Sequence, residues 1–206
     1  MPASRRTHAD LPRLRLRTVA AAVTALVGSA LCVLPLAAQA ATTDEPIGGP
    51  ELAWTTTVWH VPTGVPAPPP VPAKSYLLAD LTTGQVLVAH DAHRRLLTAS
   101  TMKVLTALTL LPRLDADLVY TARPADAAVD GSKVGLVPGS TYTVRQLFLG
   151  MMLSSGNDAA TALANAAGGV AATVGLMQQQ AAALGALDTT VRDPSGLDAP
   201  GQRSSA

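Results

Sequence analysis

Ser100-Thr101-Met102-Lys103 places a hydroxyl and an amine three residues apart at the start of an apolar segment. A serine hydroxyl is a poor nucleophile until a base removes its proton. On a helix, residues i and i+3 share a face, which puts Lys103 within reach of Ser100. Lysine acts as a base only when neutral, and burial disfavours its charged form. The neighbours Met102, Val104, Leu105, Ala107, Leu108, Leu110 and Leu111 supply the apolar surroundings this needs. Further along, Ser155-Gly156-Asn157 sits in a turn of small residues. Ser155 adds a second hydroxyl that can relay a proton, and Asn157 an amide that can bind a substrate carbonyl and fix the lysine. Ser100, near a helix N-terminus, also turns its own backbone N–H toward a developing oxyanion. Each motif has a plainer reading. An isolated S-x-x-K is a helix-start serine beside an exposed lysine, and Asn157 alone is a good helix N-cap. The lysine's segment, which offers no polar face, favours the catalytic reading.

The elements that must hold these groups are legible from periodicity and breakers. Ala99–Leu111 is apolar on nearly every face, which predicts a buried helix, stopped by Pro112. Ser75–Leu81 and Gln85–His90, joined by Thr82-Thr83-Gly84, predict a β-hairpin. The stretch from Asp115 to Tyr142, with Gly131, Pro138 and Gly139, is expected to be loop-rich. Helices are expected over Thr143–Leu153, with Thr143 as N-cap, over Asn157–Ala167, closed by Gly168-Gly169, and over Val170–Leu184, closed by Gly185. Asp193-Pro194-Ser195-Gly196-Leu197 reads as a turn. No internal repeat is present.

Of the 206 residues, 48% are hydrophobic and 14% charged, which suits one globular domain with a sizeable core. The formal net charge of +1 hides a segregation. Residues 1–40 carry five arginines against Asp10, and the remainder is net acidic, with no basic patch to suggest nucleic acid. An uncharged stretch from Thr18 to Ala38 ends at the A-x-A pattern Ala38-Gln39-Ala40, so residues 1–40 are expected to be an export signal with mature start Ala41. The competing reading is an uncleaved anchor, since the stretch is long enough to span a bilayer; Pro35 and the A-x-A site favour cleavage. The lone cysteine, Cys32, lies inside this segment, so no disulfide is expected in the mature chain. Residues 41–74 hold eight of the sixteen prolines and read as a stiff Pro-rich linker, with order expected from about Lys74. Trp54 and Trp59 are expected to cover a domain edge. His90 and His93 flank Asp91 in a polar stretch with no further ligands at metal-site spacing, which reads as a solvated loop.

Taken together, the two motifs resemble those of the low-molecular-mass penicillin-binding proteins, the serine-type D-Ala-D-Ala carboxypeptidases. Leu96–Lys103 resembles that family's nucleophile box, and Leu153–Ala160 its S-x-N box. Gly135–Gly139 with Tyr142–Val144, and Asp193–Asp198 with Ser204–Ala206, resemble the segments that accompany them. The likeness covers about Ser75 to Ala206. It implies an α+β (α/β) fold in which a helical region packs on an antiparallel sheet. Residues 75–206 would then be a partial serine D,D-peptidase (transpeptidase-like) catalytic domain. It implies Ser100 as nucleophile, Lys103 as general base, Ser155 as proton relay and Asn157 as a substrate-binding amide. The implied substrate is a peptidoglycan stem peptide ending in D-Ala-D-Ala, with β-lactams acylating the same serine and no metal or cofactor. The implied location is outside the cytoplasm, in the cell wall or at the outer face of the membrane.

One departure stands out. The family's K-T-G or K-S-G strand, which supplies a carboxylate clamp and an oxyanion donor, does not occur in these residues. The only lysine–x–glycine, Lys133-Val134-Gly135, precedes the S-x-N box. The expectation is a sheet left incomplete at Ala206, with an unpaired hairpin edge. Membrane association through an anchor beyond Ala206, or through an uncleaved N-terminal segment, stays open. So do two other functions. Class A β-lactamases share the site plan but usually carry S-D-N, and a non-catalytic wall-binding module would have kept only the helical half of the fold.

Overall fold

The computed structural model describes residues 49–60, 63–197 and 199–206. The expected export signal and its alternative, an N-terminal anchor, lie outside the described residues, as does Cys32.

Three strands form the larger sheet: β1 (Thr57–Trp59), β2 (Tyr76–Ala79) and β3 (Val86–His90). β3 is central, and both neighbours run antiparallel to it. The β2–β3 hairpin forms as its sequence predicts. Its turn is closed by the Asp80 carboxylate, which accepts from the backbone N–H groups of Thr82 (2.7 Å) and Thr83 (3.1 Å).

β1 corrects the expectation that order begins near Lys74. Thr57 pairs with His90 and Trp59 with Val88, so one edge of the hairpin is covered from within the Pro-rich stretch. Three prolineless, β-branched or aromatic residues are enough to pair, though too few to show a period. The Thr57 hydroxyl lies 3.1 Å from His90 Nδ1, and the His90 ring stacks on Tyr76. His90 is therefore a strand residue with partners rather than part of a solvated loop. Trp54 and Trp59 stay half-exposed; Leu52 is the residue that packs under this edge, against Ala89 and Ala92.

The helical part consists of α1 (Met102–Leu110), the short α2 (Pro124–Ala127), α3 (Val144–Leu153), α4 (Asn157–Ala166) and α5 (Val170–Ala183). Thr143 caps α3 as expected. Its hydroxyl accepts from the Gln146 N–H (3.2 Å) while the Gln146 side chain accepts from the Thr143 N–H (2.9 Å). The main core joins α1, α3 and α4 through Ala107, Leu110, Leu147, Phe148, Met151 and Leu163. Four of the five alanines of α4 (Ala159, Ala160, Ala162 and Ala164) are fully buried. Their small side chains let its neighbours approach closely. A second cluster, Met102, Met177 and Val191, ties α1 to α5 and to the C-terminal segment.

Two expectations change here. α1 is not buried all round, because Val104, Leu108 and Leu111 are 52%, 48% and 56% exposed. At i, i+4 and i+7 they form one apolar stripe that no described element covers. The stretch from Asp115 to Tyr142 is also more ordered than its loop-like composition predicts. β4 (Val119–Thr121) pairs antiparallel with β5 (Thr141–Thr143), and α2 lies between them. The buried Asp126 fastens this ribbon, accepting from the Tyr120 hydroxyl (2.8 Å), the Arg123 N–H (2.7 Å) and Asn165 Nδ2 (2.6 Å).

Candidate active site

Ser100 lies in a 3-10 turn, Ala99–Thr101, that leads directly into α1. Ala99 has φ +46°, a left-handed conformation costing about 1–2 kcal/mol for a residue with a Cβ. Gly196 shows what holds it there. At φ +87° Gly196 packs so tightly on the Ala99 carbonyl that a Cβ would sit 1.7 Å from that oxygen. The opposite wall is the α3–α4 turn. Ser155, at φ +56°, is a second residue held in the left-handed region. Among the described residues three non-glycines have positive φ, and two of them flank this site.

Lys103 sits beneath, on α1, 2% exposed. Its Nζ lies 2.9 Å from Ser100 Oγ, 3.3 Å from Ser155 Oγ, 2.7 Å from Asn157 Oδ1 and 2.9 Å from the Ser195 carbonyl oxygen. The Ser155 hydroxyl lies 2.8 Å from Ser100 Oγ. All four residues singled out from sequence, Ser100, Lys103, Ser155 and Asn157, thus meet at one amine. Ser100 is exposed and Ser155 half-buried, while Lys103 and Asn157 are buried. The hydroxyls lie toward solvent over a buried amine.

The partners of Lys103 sort by chemistry. Asn157 Oδ1 and the Ser195 carbonyl can only accept hydrogen bonds. A neutral amine has two N–H bonds and one lone pair. Those two acceptors take both hydrogens, and the lone pair is left to the two hydroxyls. Burial pushes the Lys103 amine below its ordinary value of 10.5, and the negative charge of Asp193 opposes that shift. The pocket therefore shifts Lys103 toward the form that can accept a proton.

Asn157 is not the helix cap. Gly156 occupies that position and Asn157 is the first residue of α4. Its side chain spans the site instead, with Oδ1 on Lys103 and Nδ2 donating to the Asp130 carbonyl (2.7 Å). Gly131, at φ +80°, allows that approach, since a Cβ there would lie 2.6 Å from Asn157 Nδ2. The next residue, Asp158, turns the other way. Its carboxylate accepts from the N–H groups of Val134 (3.0 Å), Gly135 (2.9 Å), Leu136 (3.0 Å) and Ala159 (2.9 Å). Burial would raise its pKa, but these four donors outweigh burial and hold it below 3.8. Asp158 thereby pins the 134–136 strip along the site wall.

Sequence reasoning missed the Ser195 carbonyl as a lysine partner. It also missed Thr106, one turn beyond Lys103, whose hydroxyl donates to the Pro194 carbonyl at 2.6 Å. The signal for the first was the Asp-Pro-Ser-Gly turn itself. The turn is readable from the sequence, but which way its carbonyl points is not.

A family model described as D-alanyl-D-alanine carboxypeptidase matches residues 63–206. The chain is 46% identical over 140 residues to D-alanyl-D-alanine carboxypeptidase DacB2 of Mycobacterium tuberculosis, a match covering 68% of this chain and 48% of that protein. The crystal structure of a D-alanyl-D-alanine carboxypeptidase from M. tuberculosis H37Rv superposes with a TM-score of 0.67 at 45% identity, over 70% of this chain and 56% of the other. Penicillin binding protein 6B from Escherichia coli superposes with a TM-score of 0.66 at 36% identity, over 72% of this chain and 50% of the other. The chain thus spans about half the length of these relatives.

Proposed function

The chain belongs to the D-alanyl-D-alanine carboxypeptidase family, and we propose that it acts as a serine carboxypeptidase on peptidoglycan stem peptides ending in D-Ala-D-Ala. Ser100 is the nucleophile. Its Oγ attacks the carbonyl carbon of the penultimate D-Ala while Lys103 Nζ, 2.9 Å away, takes the hydroxyl proton. The peptide C–N bond then breaks. The proton passes from Lys103 through the Ser155 hydroxyl to the departing amine, and free D-Ala leaves. Water attacks the Ser100 ester in the second half, with Lys103 again as base, and the shortened peptide is released. Asn157 holds Lys103 through Oδ1, and its remaining Nδ2 hydrogen is the donor for a substrate carbonyl. β-Lactams acylate Ser100 by the same first step, with opening of the lactam C–N bond.

The observation that carries this reading is the division of partners around Lys103, two obligate acceptors and two hydroxyls, on a buried amine. A wall-binding module without chemistry would have no use for a buried lysine, which costs stability unless its charge is compensated. The relatives reported above give the β-lactamase reading no support. We further assign residues 1–40 to an export signal, residues 41–74 to a Pro-rich connection that contributes β1, and residues 75–206 to the catalytic domain, acting outside the cytoplasmic membrane. The test is release of D-alanine from a peptide ending in D-Ala-D-Ala by the full-length protein. Release is expected from the parent and not from Ser100→Ala; equal release from both would refute the assignment.

A further inference from the structure

Asp193 has no part in the mechanism above, yet it organises the side of the site opposite Asn157. Its Oδ1 accepts from the backbone N–H of Ser195 (2.7 Å), the backbone N–H of Gly196 (3.1 Å) and the Ser195 hydroxyl. These bonds close the turn whose outcome is the Ser195 carbonyl, 2.9 Å from Lys103 Nζ. The turn is clamped on every side. Thr106 on α1 holds the Pro194 carbonyl, and Gly196 abuts Ala99. The N–H groups of Arg192 and Asp193 donate to Gln202 Oε1 at 2.9 and 2.8 Å.

The other charged groups near Lys103 in the chain's fold are held by other partners or exposed to solvent. α1 contains no second charged residue. On α4, the Asp158 carboxylate is taken by four N–H donors. In the preceding loop, Asp130 and Lys133 are both exposed; Asp130 meets Asn157 through its backbone carbonyl, and Lys133 donates to the Ala127 carbonyl. In the C-terminal segment Arg192 is exposed. Asp193 lies in the turn whose Ser195 carbonyl meets Lys103, and its negative charge opposes the downward shift that burial gives that amine.

We propose that Asp193 is a positioning residue for acyl transfer: its carboxylate builds the turn that presents the Ser195 carbonyl to Lys103, and it places a negative charge two residues from that contact. This rests on the reading of Lys103 as the base. The two contributions separate by substitution. Asparagine keeps an oxygen to accept the turn's hydrogen bonds but removes the charge. Alanine removes both. Glutamate keeps the charge and disturbs the turn.

The experiment is the rate of Ser100 acylation by a labelled penicillin across pH, in the full-length protein and in Asp193→Asn, Asp193→Ala, Asp193→Glu and Lys103→Arg. Without the negative charge, the neutral amine persists to lower pH. The acid limb of Asp193→Asn should therefore move down by about half a pH unit or more, raising the rate on that limb roughly threefold. Asp193→Ala should show the same displacement with a lower plateau, and Asp193→Glu the parent's limb with a lower plateau. A limb in Asp193→Asn that overlies the parent's, or moves to higher pH, overturns the proposal. Should Asp193→Asn fail to fold, coinciding limbs in the Glu and Ala variants overturn it equally. Lys103→Arg separates the two levels. If it acylates like the parent, the base assignment itself falls. If it is dead while Asp193→Asn is unmoved, only the role of Asp193 falls.

Discussion

Lys103 and Asp158 are buried charged side chains on opposite sides of the first turn of α4, and their surroundings treat charge in opposite ways. Asp158 meets four backbone N–H donors, so its anion is better solvated inside the protein than its neutral form. Lys103 meets only neutral oxygens, and burial works against its cation. Both pKa values are lowered, with different consequences. For Asp158, folding stability is fully present above the ordinary carboxylate value of 3.8 and is lost as pH falls through the lower folded value. For Lys103, the folded state binds its proton less readily than the unfolded chain does. That penalty is in force at neutral pH and is relieved as pH rises toward 10.5. One pocket uses its charge to hold a wall in place; the other gives up stability to hold a reactive amine.

The contrast can be broken from either side. The largest effect is expected for Lys103→Arg, which keeps a cation but cannot serve as a base. Acylation by a β-lactam should fall about 10²–10⁴-fold, read by labelled-penicillin capture. Lys103→Met should also abolish acylation yet change urea stability by only about 1 kcal/mol, because removing a desolvated charge offsets the lost hydrogen bonds. Its stability should also lack the parent's rise between neutral pH and about 10. Asp158→Asn should do the reverse on stability, costing about 3 kcal/mol in urea unfolding by turning a carboxylate lone pair into an N–H that faces other N–H donors. The acid-side loss of stability should flatten with it.

Gly196→Ala tests how tightly the lysine pocket is built. With a Cβ forced against the Ala99 carbonyl, a cost of about 2 kcal/mol or more is expected, together with slower acylation, since Ala99 precedes Ser100. The smallest effect sharpens the rest. Thr143→Ala removes the α3 cap far from either charge and should cost about 1 kcal/mol of stability with acylation unchanged.

The two motifs, the hairpin and the four longer helices could be read from sequence because each rests on local chemistry: breakers, caps and apolar periods. What could not be read depends on partners distant in the chain. β1 becomes a strand only because β3 accepts it at Thr57↔His90. β4 and β5 are three residues each, too short for a period, and they pair across an interval of loop-like composition. Asn157 has the chemistry of a cap, yet its side chain is drawn to Lys103 and Asp130, a preference set by tertiary packing. The Ser195 carbonyl belongs to the backbone, which carries no mark in the sequence of where it points. The apolar run of α1 correctly signalled a central helix. It could not show that Val104, Leu108 and Leu111 face away from every described element.

The central claim is that buried Lys103, whose hold on a proton is weakened by its surroundings, activates Ser100. The most direct measurement is intact-mass detection of the β-lactam adduct followed by peptide mapping, on the full-length protein and on Lys103→Arg. The account predicts one adduct, on Ser100, that forms in the parent and fails to accumulate in Lys103→Arg over the same time. An adduct on another residue, or one forming on Ser100 of Lys103→Arg at the parent's rate, would contradict it.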